Sequence, residues 1–125
     1  MAGRLFTIFP LGRLLLVSIQ EDIDDKSIEQ LLQQLGREVQ SRGARGVIID
    51  LGNVDVVDTF LAEHLMRLAE MLHLLKAKVL ISGLSAPAIM TLRDFGIELG
   101  DLEFALDTQQ AMERIMEGAS AGPEG

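Results

Sequence analysis

Thr59 is the hydroxyl in this chain best placed to accept a phosphate. An apolar strand pattern, Val47 to Leu51, runs into an acidic loop, and the loop runs into a helical pattern that begins at Thr59. Asp58 has the chemistry of an N-cap, because its carboxylate can accept from orphan amides of the first turn. Thr59 then opens the helix on its solvent side. A phosphate there would add roughly 1.5–2 negative charges beside Asp55 and Asp58, so the position could act as a switch. An ordinary first-turn threonine occupies the same place, and position by itself favours that plainer reading.

The other chemistry-bearing residues exclude more than they suggest. Asp50, Asp55 and Asp58 gather near a strand end, where open α/β sheets place function. A Mg²⁺-assisted phosphoacceptor aspartate would also want an acidic pair after the first strand and a lysine after the last. Asp22, Asp24 and Asp25 follow the second strand, but no lysine occurs after Lys78, and Lys76 and Lys78 flank the wrong end of a strand. Capping and loop solvation account for these aspartates more simply. There is no GxGxxG or GxxxxGK phosphate loop. His64 and His73 stand nine residues apart in one helical pattern and so point to opposite sides. They read as solvated or half-buried histidines, not as a metal pair. The serines lack a nucleophile-elbow context, and the methionines sit at helical positions as packing residues. Neither a catalytic centre, a metal nor a cofactor is expected.

Composition sets the class. The 125 residues are 48% hydrophobic but only 4% aromatic, with no cysteine, and carry a net charge of −8. That fits one compact domain with an aliphatic core. The acidity argues against nucleic acid and against an anionic membrane surface. Without cysteine there are no disulfides or thiolate ligands, which fits a cytoplasmic protein. No signal-peptide pattern is present, and the apolar run Leu14 to Val17 is too short to span a bilayer.

The elements that must hold Thr59 alternate. Leu5 to Phe9 and Leu14 to Ile19 read as antiparallel strands joined by a turn at Pro10 to Gly12. Ile28, Leu31, Leu32, Leu35 and Val39 follow the helical period from about Lys26 to Arg42, with Gly43 as a C-terminal stop. Val47 to Leu51 is a central strand. Leu61, Leu65, Leu68, Leu72 and Leu75 form the buried stripe of a helix over Thr59 to Leu75. A strand over Lys78 to Ser82 follows, then a helix capped by Ser85, carrying Pro87 in its first turn and ended by Gly96. Glu103 to Leu106 is an edge strand, and Asp107 with Gln110 has the spacing of a capping box for a last helix to about Glu117. The expected fold is α/β: a mixed sheet of four to five strands with about four helices packed mainly on one face. Residues 1–117 form the domain and 118–125 a flexible tail.

The chain resembles the STAS domains of anti-anti-sigma proteins, and among them the RsbS type of stressosome scaffold. The resemblance rests on Leu15 to Gln20 followed by Asp24 and Asp25, on Gly46 to Leu51, on Val54 to Ala62, and on Ala77 to Gly83. Thr91 with Leu92 and Gly96 with Ile97 continue it. It implies a single STAS domain that is not an enzyme. It implies assembly with RsbR-like STAS paralogues, self-association at least to a dimer, and sequestration of an RsbT-like serine/threonine kinase that is released by phosphorylation.

The same resemblance assigns roles. The phosphoacceptor falls on Thr59, where RsbS-type proteins often carry serine. Asp55 and Asp58 shape the switch loop, and Phe60 joins the kinase-facing surface. RsbR-type paralogues carry a D-I-D-T segment with a second phosphoacceptor. Here it reads Asp22-Ile23-Asp24-Asp25, so Asp25 puts a fixed negative charge where a second switch would be. An N-terminal sensory domain of the RsbR type has no counterpart in the sequence. A simpler anti-anti-sigma factor typically shows serine followed by serine or glycine at the loop, and Phe60 argues against that alternative.

Overall fold

β-branched and leucine-rich runs in the first twenty residues favour strand, and they pair as a hairpin. β1 (Phe6–Leu11) and β2 (Leu14–Ile19) run antiparallel, from Phe6 opposite Ile19 to Leu11 opposite Leu14. The hairpin corrects the expected turn. Pro10 and Leu11 belong to β1, opposite Leu15 and Leu14, and the turn is Gly12-Arg13 alone. Pro10 is tolerated because β1 is an edge strand. Gly12 has φ 62°, the positive value that a two-residue turn of this kind requires at its first central position.

The computed structural model describes residues 5–55, 57–94 and 103–121, with side chains to residue 116. After the hairpin come α1 (Asp25–Arg42), β3 (Gly46–Asp50), α2 (Thr59–Leu74), β4 (Lys78–Ser82), α3 (Ala86–Asp94), β5 (Glu103–Ala105) and α4 (Thr108–Ala121). The strands lie in the order β1-β2-β3-β4-β5, with β2 to β5 parallel. The mixed sheet and four helices match the expected α/β class. Gly96 and Ile97 lie outside the described residues.

Alternation along β3 divides the core. Val47, Ile49 and Leu51 face the larger layer, with Ile28, Leu31 and Leu35 of α1, Leu61, Leu65, Leu68 and Leu72 of α2, and Leu92 of α3. Ile48 faces the other way, with Leu14, Leu80 and Ala105, under Ala111 and Ile115 of α4. Among the described residues, three helices thus cover one face and α4 covers part of the opposite face. Ile115 packs so closely that a Cβ added at Gly46 would lie 3.0 Å from its Cγ2.

Local signals set the helix ends. Gly43 caps α1 in the left-handed conformation. The α4 box is displaced: the Gln110 amide donates to Asp107 Oδ1 at 2.8 Å, but the Gln110 side chain accepts from the Leu106 amide, one residue before the cap. The helix runs past the expected Glu117 to Ala121, which brings Gly118 to Ala121 of the expected tail into helix. Residues 122–125 lie outside the described residues.

The loops that follow β3 and β4 touch at two glycines. Gly83 has φ 89°, and a Cβ there would lie 2.5 Å from the Gly52 nitrogen. Both strain and collision therefore oppose a side chain. Gly83→Ala is expected to destabilise the fold by at least ~1–3 kcal/mol, read from the midpoint of chemical denaturation.

Candidate functional site: the β3–α2 loop

The loop after β3 is held from beneath by apolar anchors. Leu51, Val54 and Val57 are buried, whereas Gly52, Asn53, Asp55 and Asp58 are exposed. Backbone bonds fix its course. The Leu51 amide donates to the Ser82 carbonyl at 2.8 Å, and the Val54 amide donates to the Leu51 carbonyl at 3.0 Å. Asp50 Oδ1 accepts from the Gly52 amide at 2.9 Å, so this carboxylate is used in turning the chain. Val56 lies outside the described residues.

Asp58 is the N-cap of α2. Its backbone is extended, with φ −100° and ψ 178°, and its Oδ1 accepts from the Leu61 amide at 2.9 Å. Thr59 is the first helical residue and is exposed. Among the described residues its hydroxyl makes no hydrogen bond. The loop thus presents a free hydroxyl to solvent between Asp55 and Asp58 on one side and a helix on the other. Phe60 is only half exposed. It packs partly against the large core, and its ring centroid lies 4.4 Å from that of His64.

His64 adds a connection that the sequence reading missed. Its Nδ1 lies 2.8 Å from the Phe60 carbonyl oxygen, and its Nε2 lies 3.3 Å from Asp25 Oδ1. Two acceptors face the two ring nitrogens, so whichever nitrogen carries the hydrogen has an acceptor to donate to. The link joins the start of α1 to the first turns of α2. No local pattern announces it, because the partners are far apart in sequence.

Asp25 is the first residue of α1 and is not its cap. The cap is Asp24, whose Oδ1 accepts from the Ser27 amide at 2.8 Å. The hydrogen bonds from Ser27 hold the Asp24 carboxyl below its ordinary value. Asp25 remains a mostly exposed negative charge at a helix start, where the dipole favours it. His73 is exposed on the far part of α2. Among the described residues no three His, Asp or Glu side chains converge as a metal site would need.

Comparison with known proteins gives a consistent set of matches. A model for the STAS domain matches residues 11–111. The RsbT co-antagonist protein RsbRA of Bacillus subtilis is 27% identical over 95 residues, which are 76% of this chain and 35% of that protein. The chain therefore spans about a third of the length of this relative. Among solved structures, a serine-to-glutamate variant of RsbS from Moorella thermoacetica superposes with a TM-score of 0.81 at 23% identity, over 92% of this chain and 97% of that one. A chain from a structure describing the molecular architecture of the stressosome gives a TM-score of 0.81 at 24% identity, over 90% of this chain and 98% of that one.

Two measurements test the local account. Asp58→Ala removes the α2 cap and is expected to cost about 1 kcal/mol in thermal or chemical unfolding, whereas Asp55→Ala, whose side chain makes no hydrogen bond among the described residues, should stay within about 0.5 kcal/mol. Asp24 gives a pH signature. Its folded value lies below the ordinary 3.8, so its contribution is complete above that value and is lost as pH falls through the lower folded value. Asp24→Asn keeps an acceptor at the cap but cannot titrate. Its stability should lack this pH-dependent component, so it falls short of the parent at neutral pH and the two converge as pH falls through the lower folded value.

Proposed function

The chain belongs to the STAS-domain family, and from that premise we propose that it is a non-enzymatic stressosome scaffold, one that holds an RsbT-like serine/threonine kinase and releases it when Thr59 is phosphorylated. The observation that carries the proposal is the Thr59 hydroxyl: exposed, without a hydrogen-bond partner among the described residues, and held at a helix start by a loop in which Leu51, Val54 and Val57 are buried. The similarity to a protein named as an RsbT co-antagonist and to a stressosome chain supports the partner class. RsbR-like STAS paralogues and further copies of the chain complete the assembly. The setting is cytoplasmic. Among the described residues no helix is long and apolar enough to cross a membrane.

In this reading phosphorylation acts at the partner surface. Asp58 already occupies the Leu61 amide, so the phosphate stays on the outside of the first turn. The helix dipole favours it by about 0.3–1 kcal/mol per charge. Repulsion from exposed Asp55 and Asp58 opposes it by a similar amount, since exposed charge pairs are worth about 0–1 kcal/mol. These nearly cancel within the domain. A kinase docked over Asp55, Thr59 and the exposed part of Phe60 instead meets a new dianion at the contact, with its bulk and its desolvation cost. Asp25 supplies a fixed charge near the same end of the sheet and offers no second acceptor, because a carboxylate forms no stable ester with a serine/threonine kinase's phosphate.

Treatment with the cognate kinase and ATP should add one phosphate, read by intact mass and mapped to Thr59. Thr59→Ala should abolish labelling, keep the fold and still hold the kinase. Undiminished labelling of that variant, or a second phosphate mapped to residues 22–27, would overturn the one-site reading.

A further inference from the structure

Two polar bridges cross from α1 to α2, one helical turn apart. His64 Nε2 lies 3.3 Å from Asp25 Oδ1, and a turn further along Arg67 Nη1 lies 3.0 Å from Glu29 Oε2. The second bridge joins two half-exposed side chains, and among the described residues neither makes a further polar contact. The first is different. The Asp25 side chain is 82% exposed and the His64 side chain only 13%, so an enclosed ring links a solvent carboxylate to the interior. Its inner edge meets the first turn of α2. Nδ1 lies 2.8 Å from the Phe60 carbonyl oxygen, and the ring lies 4.4 Å from the Phe60 ring, tilted by 38°. Phe60 directly follows Thr59.

Holding the helices together does not require this link. Ile28, Leu31 and Leu35 of α1 share the larger core layer with Leu61, Leu65 and Leu68 of α2, and Asp58 already caps α2. In a helix the Phe60 carbonyl has the His64 amide as its ordinary donor, so the ring adds a second contact to it. What the link fixes is the ring itself. The last torsion of a histidine side chain is broad and roughly two-fold. With an acceptor at each nitrogen, one orientation is selected, and the Phe60 ring packs against that orientation.

We infer that His64 is a positioning residue of the switch: it carries the contact with Asp25 to Phe60, and so sets the face that Phe60 turns to the kinase beside Thr59. The inference rests on the kinase-docking reading above and names residues outside the loop that tune it. His64 touches neither the Thr59 hydroxyl nor the phosphate, so its effect falls on recognition of the loop and not on the transfer step. Asp25 then acts through a contact, beyond whatever its charge does through space. The scale is modest. A contact to an exposed carboxylate changes an equilibrium constant by about two- to fivefold. The Glu29–Arg67 bridge does not reach the first turn of α2 and has no such effect.

A double-mutant cycle with the cognate kinase and ATP tests it, on the parent, Asp25→Ala, His64→Phe and the two combined. His64→Phe keeps an aromatic ring against Phe60 and removes both nitrogens. His64→Leu repeats the comparison, so the result does not depend on one replacement folding, and thermal unfolding checks each variant. Asp25→Ala and His64→Phe should each raise KM for the chain as kinase substrate about two- to fivefold and leave kcat unchanged. The combined variant should be no worse than His64→Phe, because Asp25 then has nothing to act through. Glu29→Ala should leave both constants unchanged. Without the kinase, the Thr59 and Phe60 amide signals in nuclear magnetic resonance should move on Asp25→Ala in the parent and stay in place in the His64→Phe background. An Asp25→Ala effect that persists in that background, or an unchanged KM in both single variants, overturns the link while labelling of Thr59 keeps the scaffold reading standing. A parent that the kinase neither binds nor labels overturns the scaffold reading, and the amide signals then decide the link by themselves.

Discussion

The parallel pairing of β2, β3 and β4 is the constraint from which the rest follows. β3 is bonded on both edges, and Val47, Ile48 and Ile49 are fully buried. A strand covered on both faces must be apolar at consecutive positions, and this one is. Its register sets Asp50 opposite Ser18 and Ser82, so all three strands reach the same level before turning. The loop carrying Asp55, Asp58 and Thr59 starts from that shared edge. Its position is therefore inherited from hydrophobic pairing several residues away.

Capping then converts position into exposure. Asp24, Asp58 and Asp107 each accept from an amide three residues on, at 2.8–2.9 Å. Each cap also turns the residue that follows it into the first turn of a helix. Behind Asp58 that residue is Thr59, and behind Asp24 it is Asp25. The two starts lie at the same end of the sheet, and His64 joins them through Asp25. A hydroxyl and a carboxylate thus occupy equivalent places on neighbouring helices.

The fold was legible wherever the pattern was periodic and local. The stripes of α1 and α2, the β3 run, the caps Asp58, Ser85 and Asp107, and Gly43 at the end of α1 all follow from spacing, and Thr59 could be placed at a helix start for the same reason. Pro10 misled, because proline is read as a turn residue unless its strand is known to be at the edge. Asp24 and Asp25 were not separated, since adjacent aspartates are both acceptable at a helix start and only geometry chooses between them. The Asp25–His64 contact and the approach of Gly83 to Gly52 join distant segments, and nothing in either segment alone encodes them. The resemblance put Phe60 on a partner-facing surface; that it is half-buried against the core depends on how α2 lies over the sheet.

Pro10 bears on how a domain of this kind can be crowded among its own likenesses. The sheet ends at β1 on one side and at β5 on the other. An open margin of amides and carbonyls invites another chain to add itself as one more strand. Proline has no amide hydrogen to offer at one margin, and among the described residues the other strand is three residues long. Neither margin provides a template for continuous backbone pairing. Where copies of such a domain meet, contacts between them are left to side chains and helices, which charge can make and undo.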